Sequence, residues 1–211
     1  KECDSKPDFH QKITVEDMDS VQAIFSYENT GKTAVLNFAS YKNPGGKFLD
    51  GSSAQEEMLC HSSFLYNVLS EFDEDYYEFN RMTKNFALYT NRALYNPDVL
   101  FIRDDEEIYV DVITCAAPNK TAAQKYCGKS DFDCNSVMVD RIHFMFDITK
   151  EEEVNTLILG AWGCGVFGND AEFVANSFKK ELEEYYADTF ENIIFAIGGT
   201  NYMVFKRVFG K

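Results

Sequence analysis

The sequence predicts an α/β sandwich built on a mixed sheet, and three observations predict it. Five short runs are apolar on both faces, helical patterns lie between them, and two of the runs stand close enough for a hairpin. The first run, "TAVLNFAS", covers Thr33 to Ser40. A helix follows, with Met58, Leu65, Leu69 and Phe72 at spacings of seven, four and three. "DVLFIRD" (Asp98 to Asp104) and "EIYVDVITC" (Glu107 to Cys115) come next, and the charged "RDDEE" between them predicts the antiparallel pair. Met138, Ile142 and Met145 mark a second helix, "NTLILGAW" (Asn155 to Trp162) a fourth strand. Phe173, Phe178 and Leu182 mark a third helix, and "NIIFAIGG" (Asn192 to Gly199) closes the order. Strands buried between helices on both sides are what such an alternation produces.

With 211 residues, 45% of them hydrophobic, and no Pro/Ser-rich linker, the chain is expected to form a single domain over residues 1–211. No run approaches the length of a membrane span, and the opening "KECDSKPDFHQK" lacks the apolar centre of a signal peptide. A soluble, cytoplasmic protein without membrane partners is expected, and a start at Lys1 suggests that the natural N-terminus lies upstream. Cys3, Cys60, Cys115, Cys127, Cys134 and Cys164 form no C-x-x-C pair, so reduced and mostly buried thiols are expected. His10, His61 and His143 share no ligand spacing, so neither a metal nor another cofactor is expected. The formal charge of -15, from 20 basic against 35 acidic residues, argues against free nucleic acid. An anionic small ligand stays possible, because backbone N–H groups hold phosphate without net positive charge.

Two glycine-rich stretches carry the chemistry. In "NPGGKFLDGSSAQEE", Asn43 to Glu57, Gly45 and Gly46 would let a backbone approach a ligand, while Gln55, Glu56 and Glu57 open the next helix. Ser53 to Glu56 reads as a capping box, which offers Glu56 a purely local role; Glu57 has none. Neighbouring helical residues diverge by about 100°, so the two carboxylates are not expected to face each other. Ordinary glycosidases set two carboxylates on opposite sides of the scissile bond. Glycosidic chemistry here would instead leave the proton to one glutamate and substrate positioning to the other.

The second stretch, "GAWGCGVFGND", contains G-x-G-x-x-G at Gly163, Gly165 and Gly168. A dinucleotide fold does not fit, because only 43 residues follow Gly168 and the next strand ends without a ribose-binding acid. Asn169 with Glu172 reads as a helix N-cap, and a diphosphate is a reasonable ligand for such a turn. The same glycines could equally make nothing more than a tight strand-to-helix turn. Phe167, inside the loop, is placed to pack on a sugar or base. The chain has no G-x-S-x-G elbow and no Walker loop, and Cys60 and His61 point apart on their helix.

Gly45-Gly46-Lys47, followed after seven residues by Gln55-Glu56-Glu57, resembles the signature of the microbial-type poly(ADP-ribose) glycohydrolases, a Gly-Gly-Gly run followed by Gln-Glu-Glu. "VLNFASYKNPGG", "LYTNRALYNPDVLFIRDD", "VDVITCAAPN" and "GAWGCGVFGN" are similar to family segments in the same order, from about Val35 to Asn169. The resemblance implies a three-layer α/β/α macrodomain that binds ADP-ribose at the strand ends. It implies that Glu57 protonates the leaving ribose oxygen and then activates water, and that Glu56 bonds the leaving-side ribose. Gly45 and Gly46 would lie against the diphosphate and distal ribose. Gly163, Gly165, Val166, Phe167, Gly168 and Asn169 would wrap the diphosphate, and Asn37, Ser40, Asn43 and Gln55 complete the implied substrate contacts. The implied partners are poly(ADP-ribose), ADP-ribose and ADP-ribosylated proteins, met by a monomer. Lys47 stands where the family has its third glycine, so its side chain either turns to solvent or lies along the phosphates. Tyr202 and Phe205 are candidates for stacking on adenine. The alternative to a hydrolase is a macrodomain module that binds ADP-ribose without cleaving it.

Overall fold

The computed structural model describes residues 11–27 and 30–210. Cys3 and His10 lie outside the described residues. Six strands form one sheet in the order β1-β6-β5-β2-β4-β3. They are β1 (Lys12–Glu16), β2 (Thr33–Phe38), β3 (Ala93–Arg103), β4 (Glu106–Cys115), β5 (Thr156–Leu159) and β6 (Asn192–Ala196). All neighbours pair in parallel except β3 with β4, the predicted hairpin.

Alternation along the strands sends side chains to two cores. Ala34, Leu36, Ile113, Leu157, Ile193 and Phe195 pack against α6 (Asp131–Glu151), α7 (Ala171–Glu184) and α8 (Thr200–Phe209). Val35, Val112, Ile158 and Ile194 face α1 (Ser20–Ser26), α2 (Gln55–His61) and α3 (Leu65–Ser70) on the other side. The result is the three-layer arrangement. The remaining α-helices, α4 (Phe79–Met82) and α5 (Lys120–Cys127), lie in the connections that flank the strand ends.

Several boundaries differ from the sequence reading for local reasons. β3 begins at Ala93 rather than Asp98, because a bulge at Pro97 and Asp98 lets the strand absorb a proline. Asp111 holds that bulge by accepting the Asp98 N–H at 2.9 Å. The helix expected from Met58 to Phe72 is split in two, since Ser63 Oγ bonds the Leu59 carbonyl at 2.7 Å and the Leu65 N–H at 3.1 Å. β1, α1, α5 and α8 carry no strong pattern in the sequence. Among the described residues, no helix is long and apolar enough to cross a membrane, and no cluster of acidic, His or Cys side chains could hold a metal. The five described cysteines are free.

Candidate active site

The parallel strands end together, and the site is built on the C-terminal end of β2. Gln55, the first residue of α2, accepts the Phe38 N–H at 2.8 Å and donates to the Leu36 carbonyl at 2.8 Å, continuing the strand's own bonding pattern. A third bond, 3.1 Å to Ser20 Oγ, ties the amide to α1. Gln55 thereby docks the first turn of α2 against β2 and aims the two glutamates behind it.

Both glutamates are buried, Glu56 at 3% and Glu57 at 6% exposure. Glu56 accepts the Ser40 N–H at 2.6 Å and Asn37 Nδ2 at 3.3 Å, and Asn37 donates also to Thr114 Oγ1 at 3.2 Å. The expected capping box is absent: α2 begins after Ala54 with no side-chain cap, because Glu56 is engaged by the strand end instead. Glu57 accepts the Lys47 N–H at 2.8 Å. The loop therefore brings together what the helix alone would spread apart. A Cβ on Gly46 would lie 2.5 Å from Glu57 Oε1 and 2.9 Å from Glu56 Oε2, so both carboxylates flank one backbone position. Sequence spacing predicted divergence; the loop folding back over α2 lets two flexible side chains converge on it. Gly46 also has φ +62°, so a side chain there would be both strained and in collision.

Burial pushes the Glu56 carboxyl up to about 8, opposed by its bonds from the Ser40 N–H and Asn37 and reinforced by the charge of Glu57. Near neutral pH Glu56 thus holds a proton in the ligand-free chain. Ser40 and Asn37, expected to meet ribose, spend their polar groups on Glu56; Ser40 Oγ further accepts the Asn43 N–H at 3.2 Å. The Asn37 side-chain amide oxygen, Oδ1, is buried with no partner among the described residues.

The second loop lies across β2 from α2. Asn169 is not the N-cap of α7; Asp170 is, accepting the Phe173 N–H at 2.8 Å. Asn169 is buried and staples the loop, donating to the Pro118 carbonyl at 2.9 Å and the Gly163 carbonyl at 3.0 Å. Gly163 allows that closeness, since a Cβ there would meet both Asn169 and Ala117. Among the described residues, the N–H groups of Gly165, Val166 and Phe167 have no acceptor, and Gly165 faces open space. Val166 is 91% exposed. Phe167 is half-buried, its ring edge-on to Tyr89 at 6.2 Å, and Tyr89 stacks on Tyr41 at 4.0 Å. Its carbonyl accepts the Thr121 N–H at 3.0 Å.

Beside Gln55 opens a cavity of about 200 Å³ lined by Met18, Asp19, Phe38, Met58, Ala161 and Ile197 among others. Phe205 is fully buried in the α8 core and cannot stack on a ligand, a correction to the sequence reading. Tyr202 lies outside the cavity lining, with its hydroxyl 2.7 Å from Lys206. Thr114, Thr121 and Tyr89 were not anticipated as parts of the site. Thr114, a polar residue at the end of an otherwise apolar strand, is the one whose pattern carried a signal.

Buried carboxylates at the end of β2 and a loop of unpaired N–H groups after β5 are the parts of an acid–base site and an anion site, the class of site a hydrolase of a phosphorylated sugar uses. Comparisons with known proteins identify the family. The family described as microbial-type PARG, catalytic domain, matches residues 1–104, which include the first loop and both glutamates. The poly(ADP-ribose) glycohydrolase of Deinococcus radiodurans, in complex with ADP-ribose, superposes with a TM-score of 0.89 at 35% identity, covering 96% of this chain and 85% of that one. The enzyme of Thermomonospora curvata, bound to the inhibitor ADP-HPD, gives 0.87 at 32% identity, covering 94% and 79%. No curated protein matches by sequence. The chain belongs to the microbial-type poly(ADP-ribose) glycohydrolase family.

Proposed function

We propose that this member of the family cleaves the O-glycosidic ribose–ribose bonds of poly(ADP-ribose), releasing ADP-ribose, with Glu57 as general acid/base. The observation that carries this reading is the convergence of Glu56 and Glu57 on Gly46 beside a loop with free N–H groups. The diphosphate lies against Gly165, Val166 and Phe167, where it accepts N–H bonds that the protein leaves unmade. The cavity beside Gln55 takes the adenine end, its apolar lining suiting a base and Asp19 and Asn201 offering polar contacts. The distal ribose then reaches the glutamates over the end of β2.

Glu57 donates its proton to the leaving ribose oxygen as the C1–O bond breaks, and the sugar develops positive charge. The neighbouring diphosphate supplies the opposing charge that a second catalytic carboxylate supplies in ordinary glycosidases. Water then adds to the anomeric carbon and returns a proton to Glu57. Glu56, held by Ser40 and Asn37, positions the leaving-side ribose. Incubating the purified protein with poly(ADP-ribose) and scoring released ADP-ribose tests the reaction. Calorimetry tests the placement: ADP-ribose should bind with micromolar or tighter affinity and AMP far more weakly. ADP-ribose binding without polymer cleavage would make the protein a binding module instead.

A further inference from the structure

Resting on that reading, we propose that the surface formed by the Lys84–Tyr89 turn and α5 is a docking site for the part of the polymer that remains after cleavage. The order of parts along the sheet places it. The base cavity lies over the ends of β6, β5 and β2, where Ile197, Ala161 and Phe38 line it. The glutamates stand at the end of β2, Glu56 accepting from Asn37, which also donates to Thr114 of β4. A chain that enters with its terminal base in the cavity leaves the glutamates on the opposite side, over β4. There the Tyr41, Tyr89, Ala116 and Phe167 cluster forms the wall. Beyond it, α5 packs on the turn, with the Asn119 N–H bonding the Ala87 carbonyl at 2.9 Å.

That turn is strained outward, with Asn85, Phe86, Ala87 and Tyr89 all at positive φ. Phe86 is consequently displayed at 59% exposure, and Lys129 Nζ stands 4.3 Å from its ring centroid. Tyr126, 74% exposed, has Lys125 Nζ at 5.1 Å from its centroid. Lys42, Lys84, Lys125 and Lys129 make no ion pair among the described residues, whereas Lys120 beside them is bound to Asp131 at 2.5 Å. Of the acids at the start of α6, Asp131 is paired with Lys120, and Asp133 accepts the Ser130 hydroxyl while its charge also reaches Lys129 without forming an ion pair. Unpaired lysines beside exposed rings, in a chain of net charge -15, match a ligand that alternates diphosphates with bases. Bases stack on aromatic faces and phosphates pair with the ammonium groups, as on surfaces that bind single-stranded nucleic acid. An acidic peptide would use the lysines but bring no planar base to stack on the exposed faces of the rings.

The test compares the native protein with the variant Phe86→Ala/Lys125→Gln/Lys129→Gln on polymer of about ten units or more and on ADP-ribose alone. The variant should lose at least fivefold in kcat/KM on long polymer at low salt, with ADP-ribose Kd unchanged within twofold. Its dependence on salt should be shallower, by about 0.7 in log–log slope for each lysine–phosphate contact removed. Polymer binding is measured as well with Glu57→Gln in both backgrounds, so that absence of turnover would sink the proposed reaction while the surface is still judged by affinity. Unchanged polymer affinity and salt slope would overturn the docking site. So would an equal loss of ADP-ribose binding, which would mean a distorted cleft. A loss confined to ADP-ribosylated acidic protein, with free polymer unaffected, would assign the surface to the peptide and overturn the proposal too.

Discussion

The two glycine loops that flank the end of β2 read alike in sequence and are wired in opposite ways. In the first, the protein's own carboxylates occupy the backbone donors: the Ser40 N–H goes to Glu56 and the Lys47 N–H to Glu57. In the second, side chains and carbonyls only shape the turn, and the donors of Gly165, Val166 and Phe167 stay free. A loop that binds its own acids fixes where a proton is held. A loop that leaves donors open fixes where an anion rests. Glycines serve both purposes, so glycine content alone does not distinguish them; what the neighbouring helix contributes does.

The sharpest way to break this division is to disable the chemistry and keep the shape. Glu57→Gln should lower turnover of poly(ADP-ribose) by about 10² to 10⁴, the usual worth of general acid–base catalysis, with ADP-ribose affinity within a few-fold. Turnover at the native rate would show that another group is the acid. Next in size is a matched pair of alanine substitutions. Gly168 has φ +71° and packs against Thr121, so Gly168→Ala should weaken ADP-ribose binding by about tenfold, roughly 1.4 kcal/mol, with saturated turnover largely kept. Gly46→Ala should do the reverse, since it displaces the carboxylates more than the phosphate donors. If calorimetry and saturation kinetics show the two variants losing the same quantity, the loops share one role.

A smaller effect separates Glu56 from its neighbour. Its folded carboxyl titrates near 8 because of burial, above the ordinary 4.5. The stability this proton provides is complete below about pH 4.5 and is lost as pH rises through 8. Glu56→Gln removes the titration, so its thermal midpoint relative to the native chain should rise by a few degrees between pH 5 and pH 9. A pH-independent difference would place the proton elsewhere. The smallest expected effect is at Lys47, which has φ -113° and an exposed side chain, while its backbone N–H, which glycine supplies equally, holds Glu57. Lys47→Gly should leave ADP-ribose affinity and its salt dependence nearly unchanged, with hydrolysis equal or faster. A loss beyond tenfold that is greatest at low salt would make Lys47 a phosphate ligand.

Much of this protein is legible in its sequence. Runs such as "TAVLNFAS" and "NIIFAIGG" are apolar on both faces, and burial between two helix layers is the arrangement that removes both from water. Gln55-Glu56-Glu57 beside Gly45-Gly46 marks the chemistry, because glycines let a backbone approach a ligand and carboxylates next to such a place can move protons. Edge strand β1 and helices α1, α5 and α8 were not legible, since their weak patterns gain stability from contacts far away in the chain. What only the tertiary structure decided is who bonds whom: that Glu56 caps a strand rather than its own helix, that Asp170 rather than Asn169 caps α7, and that adjacent glutamates converge. Local spacing sets the direction in which a side chain leaves the backbone, but a long carboxylate goes to whichever donors the folded chain brings within 3 Å. Here those donors come from the end of β2 and the loop after it, at least ten residues away in sequence, and no local pattern contains them.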